Sequence, residues 1–166
     1  MPELLIMRHA KSDWGVGLSN DQERPLAPRG VKAAKRMGKF ITKVEAAPDL
    51  ILSSPAVRAR TTAELANKAG KWGAPMEIVP SFYGGDWTDV VDGVMAAGDS
   101  AERILITGHE PTWSDLVSIL TGGGNVAMPT AAIACLAFSG KGWSKLGSNC
   151  AELQWHVTPG MLKPFL

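Results

Sequence analysis

Four short apolar runs, each closed by a polar or glycine-containing turn, constrain this chain more than any other feature. They are ELLIM (residues 3–7), PDLILSS (48–54), MEIVP (76–80) and RILITG (103–108). Runs of this length bounded by turn residues read as buried strands. Between them the period changes. Ala33, Ala34, Met37, Phe40 and Ile41 recur at helical spacing over 31–44. Ser54-Pro55 opens a second expected helix running to about Ala69, with Ser as N-cap and Pro in the first turn. DWTDVVDGVMAAG (86–98) and EPTWSDLVSILTGGG (110–124) read as two more helices, the last stopped by glycines. AAIACLAFSG (131–140) and CAELQWHV (150–157) read as a closing strand pair, joined as a hairpin through Gly140-Lys141-Gly142. In the final run Leu153, Trp155 and Val157 alternate with Glu152, Gln154 and His156, the pattern of an edge strand with one wet face.

Strands alternating with helices predict an α/β fold, a three-layer α/β/α sandwich around a mostly parallel sheet. The 166 residues suit a single domain spanning 1–166, since domains run to ~100–200 residues. A formal net charge of +1 argues against broad nucleic-acid or membrane binding, so any anion site must be local. The N-terminus lacks a basic signal-peptide region, and no stretch approaches the ~20 apolar residues of a membrane span. Two cysteines, Cys135 and Cys150, are too few for a disulfide framework or a structural zinc site, and read as free thiols of a cytoplasmic protein. A monomer is the default expectation.

In such sheets ligands bind beyond the carboxyl ends of the strands. The first run ends in Arg8-His9. The second ends in Ser53-Ser54-Pro55, with Arg58 about one turn on. The fourth ends in Thr107-Gly108-His109-Glu110-Pro111. Two of the three histidines therefore come directly after buried strands. Arginine presents a planar fork of donors matched to phosphate oxygens, and helix N-termini add N–H groups and partial positive charge. Together these features predict an anion pocket, best suited to a phosphoryl group. A histidine there can attack phosphorus as neutral imidazole or donate as imidazolium. His9, at a strand end beside Arg8, suits the nucleophile, and His109 suits the donor. Phosphoryl transfer rests on positioning and charge neutralisation, so this set calls for no metal or cofactor.

The elements Arg8-His9-Ala10, RPLAPRG (24–30), SSPAVRARTTAE (53–64) and GHEP (108–111), in this order, resemble the histidine phosphatase superfamily, also called phosphoglycerate mutase-like. The compact length and RHAKSDW (8–14) look most like the SixA phosphohistidine phosphatase branch. The resemblance extends from Leu4 to about Leu162. It implies a phosphohistidine intermediate on His9, with Arg8, Arg58 and His109 binding the phosphate. Arg24 is either a further phosphate ligand or half of a surface ion pair, and Ser54 is a candidate substrate contact. Larger members carry an acid after the third strand that protonates the leaving group. Asp86 is the nearest residue here, but an Asp opening a helix also serves as an N-cap. A missing acid favours a phosphoramidate or acyl-like substrate.

The leading expectation is a metal-independent phosphatase acting on phosphohistidine in a signalling protein. A small-metabolite phosphomonoesterase and a phosphate-recognition module without turnover stand as alternatives. Trp14 either rims the site or packs against the body of the domain, the latter being the base-rate expectation.

Overall fold

A computed structural model of the chain describes residues 1–15, 17, 20–98 and 100–166. Six strands form one mixed sheet: β1 (Glu3–Arg8), β2 (Leu50–Ser53), β3 (Met76–Ile78), β4 (Arg103–Gly108), β5 (Ile133–Phe138) and β6 (Ala151–Val157). Their spatial order is β3-β2-β4-β1-β5-β6. β3, β2, β4 and β1 run parallel, while β5 and β6 are antiparallel additions at one side. Five helices cover the sheet: α1 (Pro28–Lys43), α2 (Val57–Gly70), α3 (Trp87–Ala96), α4 (Thr112–Leu120) and the short α5 (Pro159–Leu162).

The three layers arise from the period of two along a strand, which sends alternate side chains to opposite faces. Leu4 and Ile6 of β1 join one core with Val90 and Val94 of α3 and Trp113, Leu116 and Leu120 of α4. Leu5 and Met7 join a second core with Ala34, Met37 and Ile41 of α1, Ala63 of α2 and Leu162 of α5. β1 is thus buried on both faces and paired on both edges, which makes its carboxyl end a rigid support.

Register decides what meets there. Arg8 pairs with Gly108 across β1 and β4, and Ser53 pairs with Thr107 across β2 and β4. His9, Ser54 and His109 therefore leave the sheet at one level on three neighbouring strands.

Several boundaries differ from the sequence expectation. α1 begins at Pro28, three residues before Val31, because Pro is well tolerated in a first helical turn. Gly30 then lies against the Lys11 backbone, where a Cβ would overlap the carbonyl. α2 begins at Val57 with Ala56 as its N-cap, so Ser54 does not cap the helix directly. Its hydroxyl instead accepts from the Ala56 N–H at 3.2 Å. The β5–β6 connection is longer than a tight hairpin and contains a 3-10 turn at Trp143–Lys145. β6 does form an edge, but its alternation breaks. Cys135 faces Trp155 while Leu136 faces Leu153, so Gln154 is an extra residue and Leu153 turns outward, 40% exposed.

α1 and α2 pack at unusually close range through Gly38, where a Cβ would overlap the carbonyl of Ala66. The Thr42 hydroxyl donates to the Gly70 carbonyl at 2.8 Å along the same seam. Ala ordinarily favours a helix over Gly by ~1 kcal/mol. Here Gly38→Ala is expected to destabilise the fold by ~1–3 kcal/mol, because overlap with backbone cannot be relieved by a rotamer change. Urea denaturation of the variant measures this.

Candidate active site

The end of β1 delivers His9 into a small pocket whose lining includes Arg8, Lys11, Ser12, Arg24, Arg58 and His109. The backbone N–H of His9 donates to Gly108 at 3.0 Å, and that of Ala10 donates to the Thr62 hydroxyl at 2.9 Å. Thr62 in turn donates to the Arg58 carbonyl at 2.6 Å, fixing α2 to the strand end. His9 Nδ1 lies 2.7 Å from the carbonyl oxygen of Ala10. A carbonyl can only accept, so Nδ1 carries the proton and Nε2 of the neutral ring keeps its lone pair.

Protonation favours the same state. Burial pushes His9 from the ordinary 6.5 down to about 4. The bond to Ala10 opposes the shift, and the charges of Arg58, Arg8 and Arg24 deepen it. His109, with its ring centroid 5.2 Å from that of His9, is lowered to about 3 by burial and then by Arg58 and His9. Ser54, fully buried, holds His109 through a 2.8 Å contact between its hydroxyl and Nε2. Among the described residues, His109 Nδ1 is buried without a hydrogen-bond partner, as are the Nε atoms of Arg8, Arg24 and Arg58.

A carboxylate absent from the sequence-level candidates organises the arginines. Asp21, in a 3-10 turn (Asp21–Glu23) ahead of α1, accepts from Arg58 Nη2 at 3.0 Å and from Arg24 Nη2 at 3.1 Å. Its backbone carbonyl accepts from Arg58 Nη1 at 2.9 Å, and its carboxylate also accepts from the Tyr83 hydroxyl at 2.7 Å. That hydroxyl, followed by Arg24 and Arg58, holds Asp21 at about 2, despite an opposing desolvation penalty. No sequence signal marks it, because its partners Arg58 and Tyr83 are distant in the chain. Thr62, by contrast, sits one helical turn after Arg58, a spacing that could have marked it, although it was not among the candidates.

The remaining candidates differ in how they reach the pocket. Arg8 Nη1 donates to the Met128 carbonyl at 3.0 Å. Arg24 reaches the pocket and is also half of an ion pair, with a further bond to the Ser12 hydroxyl. Ser54 is brought to the site but faces His109 rather than open space. Asp86 is not brought in: its carboxylate caps α3 in a capping box with Asp89, accepting from the Thr88 and Asp89 N–H groups. Trp14 does not pack on the domain body. It is 71% exposed at the rim, with the Arg24 guanidinium 3.5 Å over its ring, a cation–π stack that substitutes for burial.

Glu110 is the acidic residue among the described pocket residues, and both its oxygens are taken by the Ser114 backbone and hydroxyl. The described residues contain no cluster of three or more His, Cys, Asp or Glu suited to a metal ion. No helix among them is long and apolar enough to cross a membrane. Both cysteines are free.

Comparison with known proteins decides the family. The profile of the histidine phosphatase superfamily, branch 1, matches residues 4–90. The chain belongs to the histidine phosphatase superfamily. An uncharacterised Mycobacterium tuberculosis protein is 36% identical over 157 residues, covering 89% of this chain and 96% of the relative. A Nakamurella multipartitia structure assigned as a phosphohistidine phosphatase SixA superposes with a TM-score of 0.83 at 26% identity, covering 95% of this chain and 96% of that one. The protein histidine phosphatase SixA complexed with tungstate also gives 0.83, at 23% identity, covering 96% and 99%, a likeness of fold. This histidine phosphatase is accordingly a phosphatase enzyme of the SixA-like branch.

The charges of the site dictate two outcomes. An unfolded chain protonates its histidines as pH falls below 6.5, whereas folded His9 and His109 resist until about 4 and 3. Their contribution to stability is therefore complete above 6.5 and declines as pH falls toward those values. Urea midpoints in phosphate-free buffer should fall between pH 6.5 and 4.5, with a flatter slope in the His9→Ala/His109→Ala double variant. Asp21→Asn keeps the shape but removes the charge shared by Arg24 and Arg58. It is expected to lower kcat/KM by about tenfold or more, the scale of a lost charge-assisted bond, while far-UV circular dichroism stays unchanged.

Proposed function

We propose that this phosphatase acts through a phosphohistidine intermediate on His9 and removes phosphate from phosphohistidine displayed on a protein. The observation that carries the reading is the fixed tautomer of His9: Nδ1 bound to the Ala10 carbonyl, Nε2 left with its lone pair, in a pocket that holds the ring neutral. A recognition module has no use for an unprotonated imidazole among three arginines.

In the first step Nε2 of His9 bonds to phosphorus as the P–N bond of the substrate breaks. The bonding pair passes to the leaving imidazole, which departs neutral when its second nitrogen carries a proton from solvent. Arg8, Arg24 and Arg58 neutralise the phosphoryl oxygens, and the N-terminus of α2 adds its partial positive charge. An approaching phosphoryl dianion reverses the field on His109 and favours its protonated, donating form. Water then attacks phospho-His9, releasing inorganic phosphate and restoring the neutral ring.

Two features favour a phosphoramidate on a large partner over an alkyl ester. Asp21 is ionised at neutral pH and Glu110 is tied to Ser114, so neither is placed to protonate an alkoxide. The pocket itself encloses about 220 Å³. It admits the phosphoryl group and leaves the rest of the substrate outside. The SixA relatives, named for phosphohistidine or protein histidine phosphatase activity, point the same way.

The test compares phosphate release from a phosphohistidine-bearing protein domain with release from a panel of alkyl phosphates. Wild type should prefer the former by at least about tenfold in kcat/KM, a difference of ~1.4 kcal/mol in transition-state binding. His9→Ala should lose turnover by a factor of about 10³ or more, as for other covalent nucleophiles, with its fold intact. Normal turnover in His9→Ala refutes the mechanism; a preference for alkyl phosphates refutes the substrate class.

A further inference from the structure

Beside the catalytic pocket lies a larger groove of about 720 Å³ that the hydrolytic chemistry does not use. Arg8, Lys11, Arg29, Lys32, Arg36 and Lys163 line it. It shares Arg8, Lys11 and Thr130 with the catalytic pocket, so the two spaces adjoin. Six of the chain's 17 cationic side chains thus face one groove of a protein whose net charge is only +1. No carboxylate and no aromatic ring is among the described lining residues. None of the six is in an ion pair with an Asp or Glu side chain among the described residues. Arg36 Nε donates to the Leu166 carbonyl at 2.8 Å and Arg8 Nη1 to that of Met128. Concentrating like charges without partners opposes folding, and the arrangement has a use only if an anion comes to it.

We infer that this groove docks an acidic polypeptide segment flanking the phosphorylated residue of the substrate protein. The inference rests on the proposed protein substrate. A groove adjoining the catalytic pocket lies within reach of the residues that flank the phosphorylated one. The lining chooses among anions. A nucleotide or single-stranded nucleic acid would be expected to stack its bases, and the groove offers no ring for that. Its uncharged lining is Ala33, Pro129, Pro159, Gly160 and two threonines, which suit the aliphatic stems and amides of a peptide. The side chains of four of the cations, Lys11, Arg29, Lys32 and Lys163, make no hydrogen bond or ion pair among the described residues and are free to meet Asp or Glu side chains.

The experiment separates docking from catalysis. Binding of a fluorescent, unphosphorylated Glu/Asp-rich peptide is followed by anisotropy at 50 and 300 mM salt. A neutral peptide and inorganic tripolyphosphate as competitor serve as the other arms. The protein is wild type or Lys32→Glu/Lys163→Glu, both positions exposed or half-buried and outside the catalytic pocket. Hydrolysis of para-nitrophenyl phosphate, if measurable in wild type, and circular dichroism check that the variant is intact. The acidic peptide should bind wild type with strong salt dependence and lose about tenfold in affinity in the double variant, the scale of reversing charges at an interface rim. The same substitutions should raise KM, not lower kcat, for a phosphohistidine peptide with acidic flanks. Equal binding of acidic and neutral peptides, or affinity unchanged by charge reversal, overturns the inference. So does tripolyphosphate binding tighter than the peptide, which would make the groove a site for small polyanions. The binding arms need no turnover, so they stand whatever becomes of the phosphohistidine substrate.

Discussion

Three guanidinium groups and two imidazoles share one small pocket, and the arrangement depends on the carboxylate of Asp21. It lies against two of the arginines and takes the Tyr83 hydroxyl as a third donor. Without it the positive charges would repel one another at close range, and the turn that carries Asp21 would lose its carboxylate bond to Arg58 of α2, keeping the one made by its backbone carbonyl. With it, Arg24 and Arg58 are held in place before any substrate arrives, so less ordering is left for the moment of reaction. The same arginines, together with burial, keep both imidazoles neutral. One acidic side chain on a loop thus sets the position of the cations, and the cations help set the protonation of the nucleophile.

The sheet supplies the other half of the design. The pairings Arg8–Gly108 and Ser53–Thr107 bring three chain segments to one level. The polar residues just beyond them then meet without long loops. Ser54 illustrates the economy: one hydroxyl holds the His109 ring and receives the backbone N–H of Ala56 ahead of α2. Further out, the pocket adjoins a groove lined by six cations, so a partly compensated interior gives way to a more positive rim.

How much of this was legible in the sequence depended on distance along the chain. Buried strands announce themselves as apolar runs, and the polar residues closing each run are then plain in the sequence. Arg8, His9, Ser54, Arg58 and His109 were accessible for that reason, and the alternating periods carried the layered fold. Asp21 was not, because a carboxylate in a polar loop looks like any other until its arginine and tyrosine partners are folded onto it. Trp14 went against the burial expectation because stacking on Arg24 satisfies a ring at the surface. Asp86 was the reverse case: its capping role is local, so the Asp-Trp-Thr-Asp sequence carried it. α1 starts ahead of its apolar spacing because Pro28 suits a first helical turn, a signal that periodicity alone does not carry.

The interruption of β6 bears on how an open sheet avoids its own kind. An edge strand offers a row of unpaired N–H and C=O groups to any neighbouring chain. At one margin β3 spans only three residues. At the other, the extra residue at Gln154 bends the ladder and throws the regular spacing out of step. Neither margin presents a long, flat template. The residue insertion that spoils the alternation is thus a safeguard against strand-to-strand polymerisation, which a protein with so apolar a central sheet would otherwise invite.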